Sequence, residues 1–412
     1  VTQRRPRAPV HLAVALAAFF VAVQFYTSLA SLSPTPPVGY VFLNRAGASA
    51  LIALMLAAAL VALVELRRTR AAVPFASRLI LGAWIGTALG AAILGLDPRS
   101  GLEVVGMMGV AAIFHVALVR FYPEPPVART LWVAYLGVGA VVALAGLAML
   151  VTHRPVVLYA LNHGRAAGIF VTANQFATYL LLMGYVALGV ALVARDRLLR
   201  GLAWTATGVA ALALLASFSR SGWIGAAAGA VFLLMLLRRR VAAVVAGVAF
   251  VAALAALAAM PVARHDPADA FNRVATLAAG VRAAMLFPLT GVGPMSYWRV
   301  YPSIRPPGGA EPGSFGALHP HDVYLSLAGE VGLIGLLALG LGWVAFARAL
   351  GRRAQAGPDP RLAFAVCAGL SATLVQGIFD TIGIVQMTFV WIPYTAVALA
   401  AAEAGIGPAE PA

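Results

Sequence analysis

The sequence predicts an all-α integral membrane protein of about twelve transmembrane helices with one long external loop. Three observations carry that class: the 412 residues are 62% hydrophobic with a mean hydropathy of +0.91, only 10% are charged, and the basic residues fall in short clusters between long apolar runs. A soluble domain is nearer half apolar and a quarter charged. The net charge of +15 is the size expected of a nucleic-acid binder, yet all 29 basic residues are arginine and they punctuate the apolar runs. That pattern is topological, so membrane lipid is the expected partner and nucleic acid is not. The single cysteine, Cys367, lies inside an apolar run, which leaves no disulfide framework, zinc spacing or thiol pair.

Stretches long enough to cross a hydrocarbon layer of about 30 Å run over 9–30, 46–65, 79–96, 102–120, 130–151, 171–194, 201–218, 223–237, 241–260, 322–347, 361–380 and 384–403. The first follows Arg4, Arg5 and Arg7, and at about 20 residues is expected to be a span rather than a cleaved signal. With the N-terminus inside, alternate connections collect 19 of the 29 arginines, as positive charge held on the cytoplasmic side requires, and both termini are expected there. The chain thus divides into spans one to nine over 1–260, an external loop over 261–321, and spans ten to twelve with a cytoplasmic C-terminus over 322–412. The loop holds nine prolines and an apolar stretch, Val274 to Leu289, suited to helices lying at the interface. A shorter external segment from Thr152 to Phe170 carries His153, Arg154, His163 and Arg165. Neither tandem nor inverted repeats are visible, and Glu330 is nearly alone as an ionisable group deep in a span, which disfavours a transporter or lipid flippase.

Three polar clusters fall on the external side. In Ser219-Arg220-Ser221-Gly222 an arginine lies between two serines at the N-terminus of the next helix. Either it snorkels to headgroups, or the helix N-terminus and guanidinium together form an anion site. Arg282 and Leu286 stand one turn apart ahead of Gly291-Val292-Gly293-Pro294, so the leucine is expected to anchor the turn while the arginine faces a polar cavity. A solvated arginine on a surface helix is the alternative. In His319-Pro320-His321-Asp322-Val323-Tyr324, Asp322 is placed to cap the incoming helix and His321 to accept a proton near neutral pH. A structural turn and a metal site are the other readings, the latter without further ligand pairs at metal spacing. Asp322, Ser326 and Glu330 share a helix face, and Glu330 suits pairing with an arginine as well as it suits catalysis.

Two arginines, helix N-termini and a histidine at the lipid–water boundary suit binding of a lipid-linked pyrophosphate and transfer of its sugar to a hydroxyl. The arginines would stabilise charge on the leaving pyrophosphate, and His321 would deprotonate or orient the acceptor. No Asp-x-Asp pair lies on the external side, so arginine is expected in place of a metal, with no cofactor and with inversion in one displacement.

These residues resemble a known family. The run from His321, a small polar residue, nine residues and then Gly332-x-x-Gly335 resembles the signature of the bacterial O-antigen ligase and polymerase superfamily. Arg282 with Leu286 resembles its arginine-x-x-x-leucine motif, Ser219-Arg220 its Ser-Arg turn, and Gly168 to Tyr179, with Asn174 and Gln175, its Gly-aromatic-Asn segment. Asp322 stands where the family commonly has asparagine, serine or glutamine. The resemblance implies a membrane-embedded glycosyltransferase of the Gram-negative inner membrane, acting in lipopolysaccharide biosynthesis. It would transfer polysaccharide from undecaprenyl pyrophosphate to the lipid A core oligosaccharide on the periplasmic face, without metal. By position it implies His321 as base, Arg220 and Arg282 as pyrophosphate ligands, and Ser219, Asp322, Tyr324, His319, Asn174 and Glu330 as supporting residues. O-antigen polymerases and protein O-oligosaccharyltransferases share these motifs, so the acceptor stays open.

Overall fold

The computed structural model describes residues 9–29, 45–70, 72–170, 172–259, 267–309, 311, 319–379 and 384–404. Among them the chain forms helices and no strand: α1 (Val10–Leu29), α2 (Arg45–Arg68), α3 (Phe75–Leu94), α4 (Pro98–Phe121), α5 (Pro125–Thr152), α6 (Val156–Leu161), α7 (Ala173–Val193), α8 (Arg197–Ala216), α9 (Arg220–Leu236), α10 (Arg240–Ala259), α11 (Pro267–Leu286), α12 (Tyr297–Ile304), α13 (Val323–Ala356), α14 (Arg361–Gln376) and α15 (Ile384–Ala404). Every predicted apolar run coincides with one of these helices. Seven of the described helices, α2 to α5, α7, α8 and α13, are long and apolar enough to cross a membrane, and α1, α9 and α14 contribute shorter apolar stretches.

Boundaries moved where capping chemistry overrides hydropathy. α4 begins four residues ahead of its apolar run because Asp97 accepts from the Ser100 amide and Pro98 takes the first helical position, where no amide hydrogen is needed. α13 continues past the expected end through Arg348 to Ala356, a stretch rich in alanine and arginine, both strong helix formers.

α14 packs against both α7 and α9, α7 against α8, α13 against α3, and α15 against α4. In apolar surroundings buried polar groups need partners. The His115 ring lies 2.9 Å from the Ile392 carbonyl and 3.1 Å from the Ser77 hydroxyl, and the Tyr135 and Tyr394 hydroxyls are 2.7 Å apart. These bonds tie α15 to α3, α4 and α5 through an aromatic core that includes Phe19, Phe20 and Phe114.

α13 is not continuous. Gly332 sits at φ 63, ψ −172 and interrupts the helix, and the turn following α11 inserts its main chain into the gap. The Val292 and Gly293 amides donate to the Gly329 and Glu330 carbonyls at 2.7 and 3.0 Å, while the Leu333 and Ile334 amides donate to the Pro288 and Leu289 carbonyls at 2.8 and 3.2 Å. Irregular backbone at membrane depth is tolerated only where protein satisfies it, and this turn does so. A methyl group at Gly332 would lie 2.4 Å from the Leu289 carbonyl oxygen, and one at Gly291 would lie 2.3 Å from the Glu330 carbonyl carbon. The predicted close backbone approach at Gly-Val-Gly-Pro is therefore observed, and its target is the broken span.

Candidate active site

Three helix N-termini meet at one end of the bundle, each capped by a side-chain oxygen. Thr172 accepts from the Gln175 amide at the head of α7, Ser219 from the Gly222 amide at the head of α9, and Asp322 from the Leu325 amide at the head of α13, at 3.1, 3.2 and 2.8 Å. Uncompensated amides and aligned peptide dipoles make each of these ends favourable to an anion.

A chain of bonds fixes them together. The Ser219 hydroxyl donates to Asn174 Oδ1 at 2.9 Å and lies 3.2 Å from the Ser221 hydroxyl. The buried Gln376 amide donates to the Asn174 carbonyl at 3.0 Å and accepts from Thr178 Oγ1 at 2.9 Å. Gly377, the next residue, accepts from the Val323 amide at 2.8 Å, and the Tyr324 hydroxyl donates to the Leu374 carbonyl at 3.2 Å. The end of α14 thus joins Ser219 and Asn174 to the start of α13, where His321 and Asp322 stand. Arg220, first residue of α9, is exposed beside this network.

His321 occupies the left-handed region at φ 53, as does Phe218 at φ 47, and each immediately precedes its helix cap. A non-glycine residue there marks a main-chain conformation imposed by its surroundings. The rings of His319 and His321 are 4.4 Å apart at 65°, and the His321 amide donates to His319 Nδ1 at 3.4 Å. Pro320 between them is buried against α11, where a methyl group at Gly280 would lie 2.6 Å from its Cβ.

Arg282 is mounted differently. It lies exposed on α11 with Nη1 donating to the Ile304 carbonyl at 3.1 Å, at the negative end of α12. The expected anchoring by Leu286 is not observed, since that side chain is 51% exposed. α11 is held instead by Ala275, Ala279 and Ala283, all buried, because small side chains permit the close approach to α13. Two other loop arginines are tied down: Arg299 to Asp97 at 2.5 Å, and Arg305 to the Gly309 carbonyl and Glu311. Hydrogen bonds from the Ser100 side chain and amide, with Arg299 beside it, hold the Asp97 carboxyl below its ordinary range.

Among the described residues Glu330 does not pair with an arginine. It is buried on α13 just before the break, with the Met295 amide as its backbone donor, and among the described residues Oε2 has no partner. The Ser326 hydroxyl one turn earlier is likewise buried and unpartnered among the described residues. No group of three His, Cys, Asp or Glu side chains is placed to hold a metal ion among the described residues. In the external segment, Asn162 Oδ1 accepts from the Ala173 amide at 2.7 Å and adds a second cap to α7. Asn162 and Gln376 were not singled out from the sequence. A lone glutamine at the end of an apolar run was the available signal for Gln376.

Residues 205–340, about a third of the chain, match the family described as O-antigen ligase. That segment contains Ser219, Arg220, Arg282, His319, His321, Asp322, Tyr324 and Glu330, whereas Asn162, Thr172, Asn174, Thr178 and Gln376 lie outside it. No curated protein matches the sequence.

Proposed function

From the premise that residues 205–340 carry an O-antigen ligase family domain in a multi-pass membrane protein, we propose that this chain is an O-antigen ligase. It transfers polysaccharide from undecaprenyl pyrophosphate to a hydroxyl of the lipid A core oligosaccharide at the periplasmic face of the inner membrane. The observation that carries the reading is the convergence of three capped helix N-termini, with Arg220 in the first turn of α9 and His321 directly before α13. The donor pyrophosphate lies against Arg220 and the amides of α9, with Arg282 as the second cation. The acceptor hydroxyl attacks the anomeric carbon as its proton passes to His321, the bond from that carbon to the pyrophosphate oxygen breaks, and both electrons leave with undecaprenyl pyrophosphate. One displacement inverts the anomeric centre. The arginines stabilise charge that grows on the leaving oxygen, and the proton transfer contributes about 10²- to 10⁴-fold. Ser219 and Asn174 position Arg220; Asp322 and His319 position His321. Tyr324 supports the same helix start, and Glu330 holds the turn that follows Arg282.

Reconstitution of the purified chain in vesicles with lipid-linked polymer tests this reading. Rough lipopolysaccharide as acceptor should give polymer-bearing lipopolysaccharide, undiminished by a chelator. Transfer only to a pilin-like protein, or only extension of the polymer itself, would reassign the chain to protein glycosylation or polymerisation. Loss of activity with chelator and its return with Mg²⁺ would overturn the metal-free account.

A further inference from the structure

At the end of α13 remote from this site, α3 and α13 line an open apolar groove of about 600 Å³, with Arg78, Arg348 and Arg352 along it. Its walls are Leu79, Ala83, Ala338, Leu341, Val344 and Ala345, and Gly82 and Gly342 keep it deep. All three arginines are exposed, and none forms an ion pair with a carboxylate among the described residues, whereas Arg68, Arg129, Arg353 and Arg361 do. Three guanidiniums without a carboxylate partner among the described residues, beside an apolar slot in a membrane-spanning helix pair, are complementary to one kind of molecule, a phosphate carried on acyl chains.

We propose that this groove binds an anionic glycerophospholipid, its phosphate on Arg78, Arg348 and Arg352 and an acyl chain along the α3–α13 seam. The groove lies wholly on the part of α13 beyond the Gly332 break. The bound lipid therefore joins that half of α13 to α3, whose C-terminal end meets the inserted turn where the Leu96 amide donates to the Val292 carbonyl at 2.9 Å. It is a structural lipid, separate from the donor and acceptor sites.

Native mass spectrometry of the full-length chain, released from detergent with phosphatidylglycerol or phosphatidylcholine, reads this directly. Phosphatidylglycerol should be retained and phosphatidylcholine lost. The double variant Arg348→Gln/Arg352→Gln should weaken phosphatidylglycerol binding about tenfold or more, in line with the loss of one or two charge-assisted phosphate contacts. Gly82→Leu, which adds a side chain where a Cβ meets nothing within 4 Å, should block the acyl chain while leaving the arginines in place. Arg197→Gln/Arg200→Gln, which removes two exposed arginines at the start of α8, should bind as the parent does. Equal retention of both lipids, equal loss in the α8 variant, competition by glycerol phosphate as strong as by the lipid, or a mass of two chains in place of lipid would each overturn the proposal. Thermal unfolding of the variants in lipid-free detergent, equal to that of the lipid-free parent, excludes misfolding as the cause of lost binding.

Discussion

Arg220 rides on a helix end fixed by side chains, whereas Arg282 rides on a helix fixed by main chain. Around Arg220, the Ser219 hydroxyl bonds the Asn174 side chain, and the Gln376 side chain bonds the Thr178 hydroxyl and the Asn174 main-chain carbonyl, across three helices. Around Arg282, the turn after α11 completes the broken α13 through four amide-to-carbonyl bonds, with Gly291 and Gly332 leaving room for them and the Glu330 carboxylate taking the Met295 amide. The first mounting can be dissected one partner at a time. The second fails as a unit, because a glycine there is replaced only by moving the main chain it touches.

The largest effect should come from Gly332→Val. A side chain at φ 63 costs about 1–3 kcal/mol from strain alone, and the displaced turn loses its bonds as well, so we expect little folded protein by size-exclusion chromatography. A variant that folds and unfolds at the parent's temperature would show that the insertion is not what holds α13.

Next comes His321→Ala, expected to lower transfer about 10²- to 10⁴-fold while binding of the lipid-linked donor persists. Full activity would remove His321 from proton transfer and leave its backbone strain as a purely structural feature.

Arg220→Lys and Arg282→Lys set the two mountings against each other. Loss of two-pronged phosphate contact should weaken donor affinity about tenfold for each. The Ile304 carbonyl bond predicts that Arg282→Lys also lowers the unfolding temperature. An unfolding temperature equal to the parent's would show that this bond does not hold Arg282 in place.

Asn174→Ala and Ser219→Ala should each destabilise by about 1–3 kcal/mol, since each removes one partner of the Ser219–Asn174 bond and leaves the other unmatched. Their double variant should cost less than the sum, with a coupling of about 0.5 kcal/mol or more. Additivity would mean that the two side chains do not act through that bond.

The smallest effect concerns the clamp between Asp97 and Arg299. The folded-state carboxyl titrates below its ordinary value, so its stabilisation is complete at neutral pH and is lost as pH falls through that lowered value. Asp97→Asn should therefore unfold at a lower temperature than the parent at pH 7, with the gap closing below about pH 4. A gap that persists in acid would assign the effect to the Ser100 cap geometry instead.

Much of the site was legible because polar residues are conspicuous in an apolar chain. Ser219, Asp322 and Glu330 stood out, and the Asp322 cap follows from local spacing alone, since a cap bonds an amide three residues on. Asn174 was located by motif, but its bond to Ser219 spans 45 residues and has no local signature. Leu286 misled for the converse reason. Helical spacing places it with Arg282, and nothing local shows that α11 would turn its alanines rather than its leucine toward α13.

Hydropathy and arginine clustering by themselves determined the helical membrane class and the position of every apolar helix, because the cost of an unpaired backbone in lipid leaves a long apolar run no alternative to helix. Only the tertiary structure decided that one of those helices is broken. Gly332 is compatible with a straight helix or a break, and the choice falls to the break because a turn more than thirty residues upstream supplies main-chain partners for it. Those partners are specified by packing between distant segments, which a linear pattern does not record.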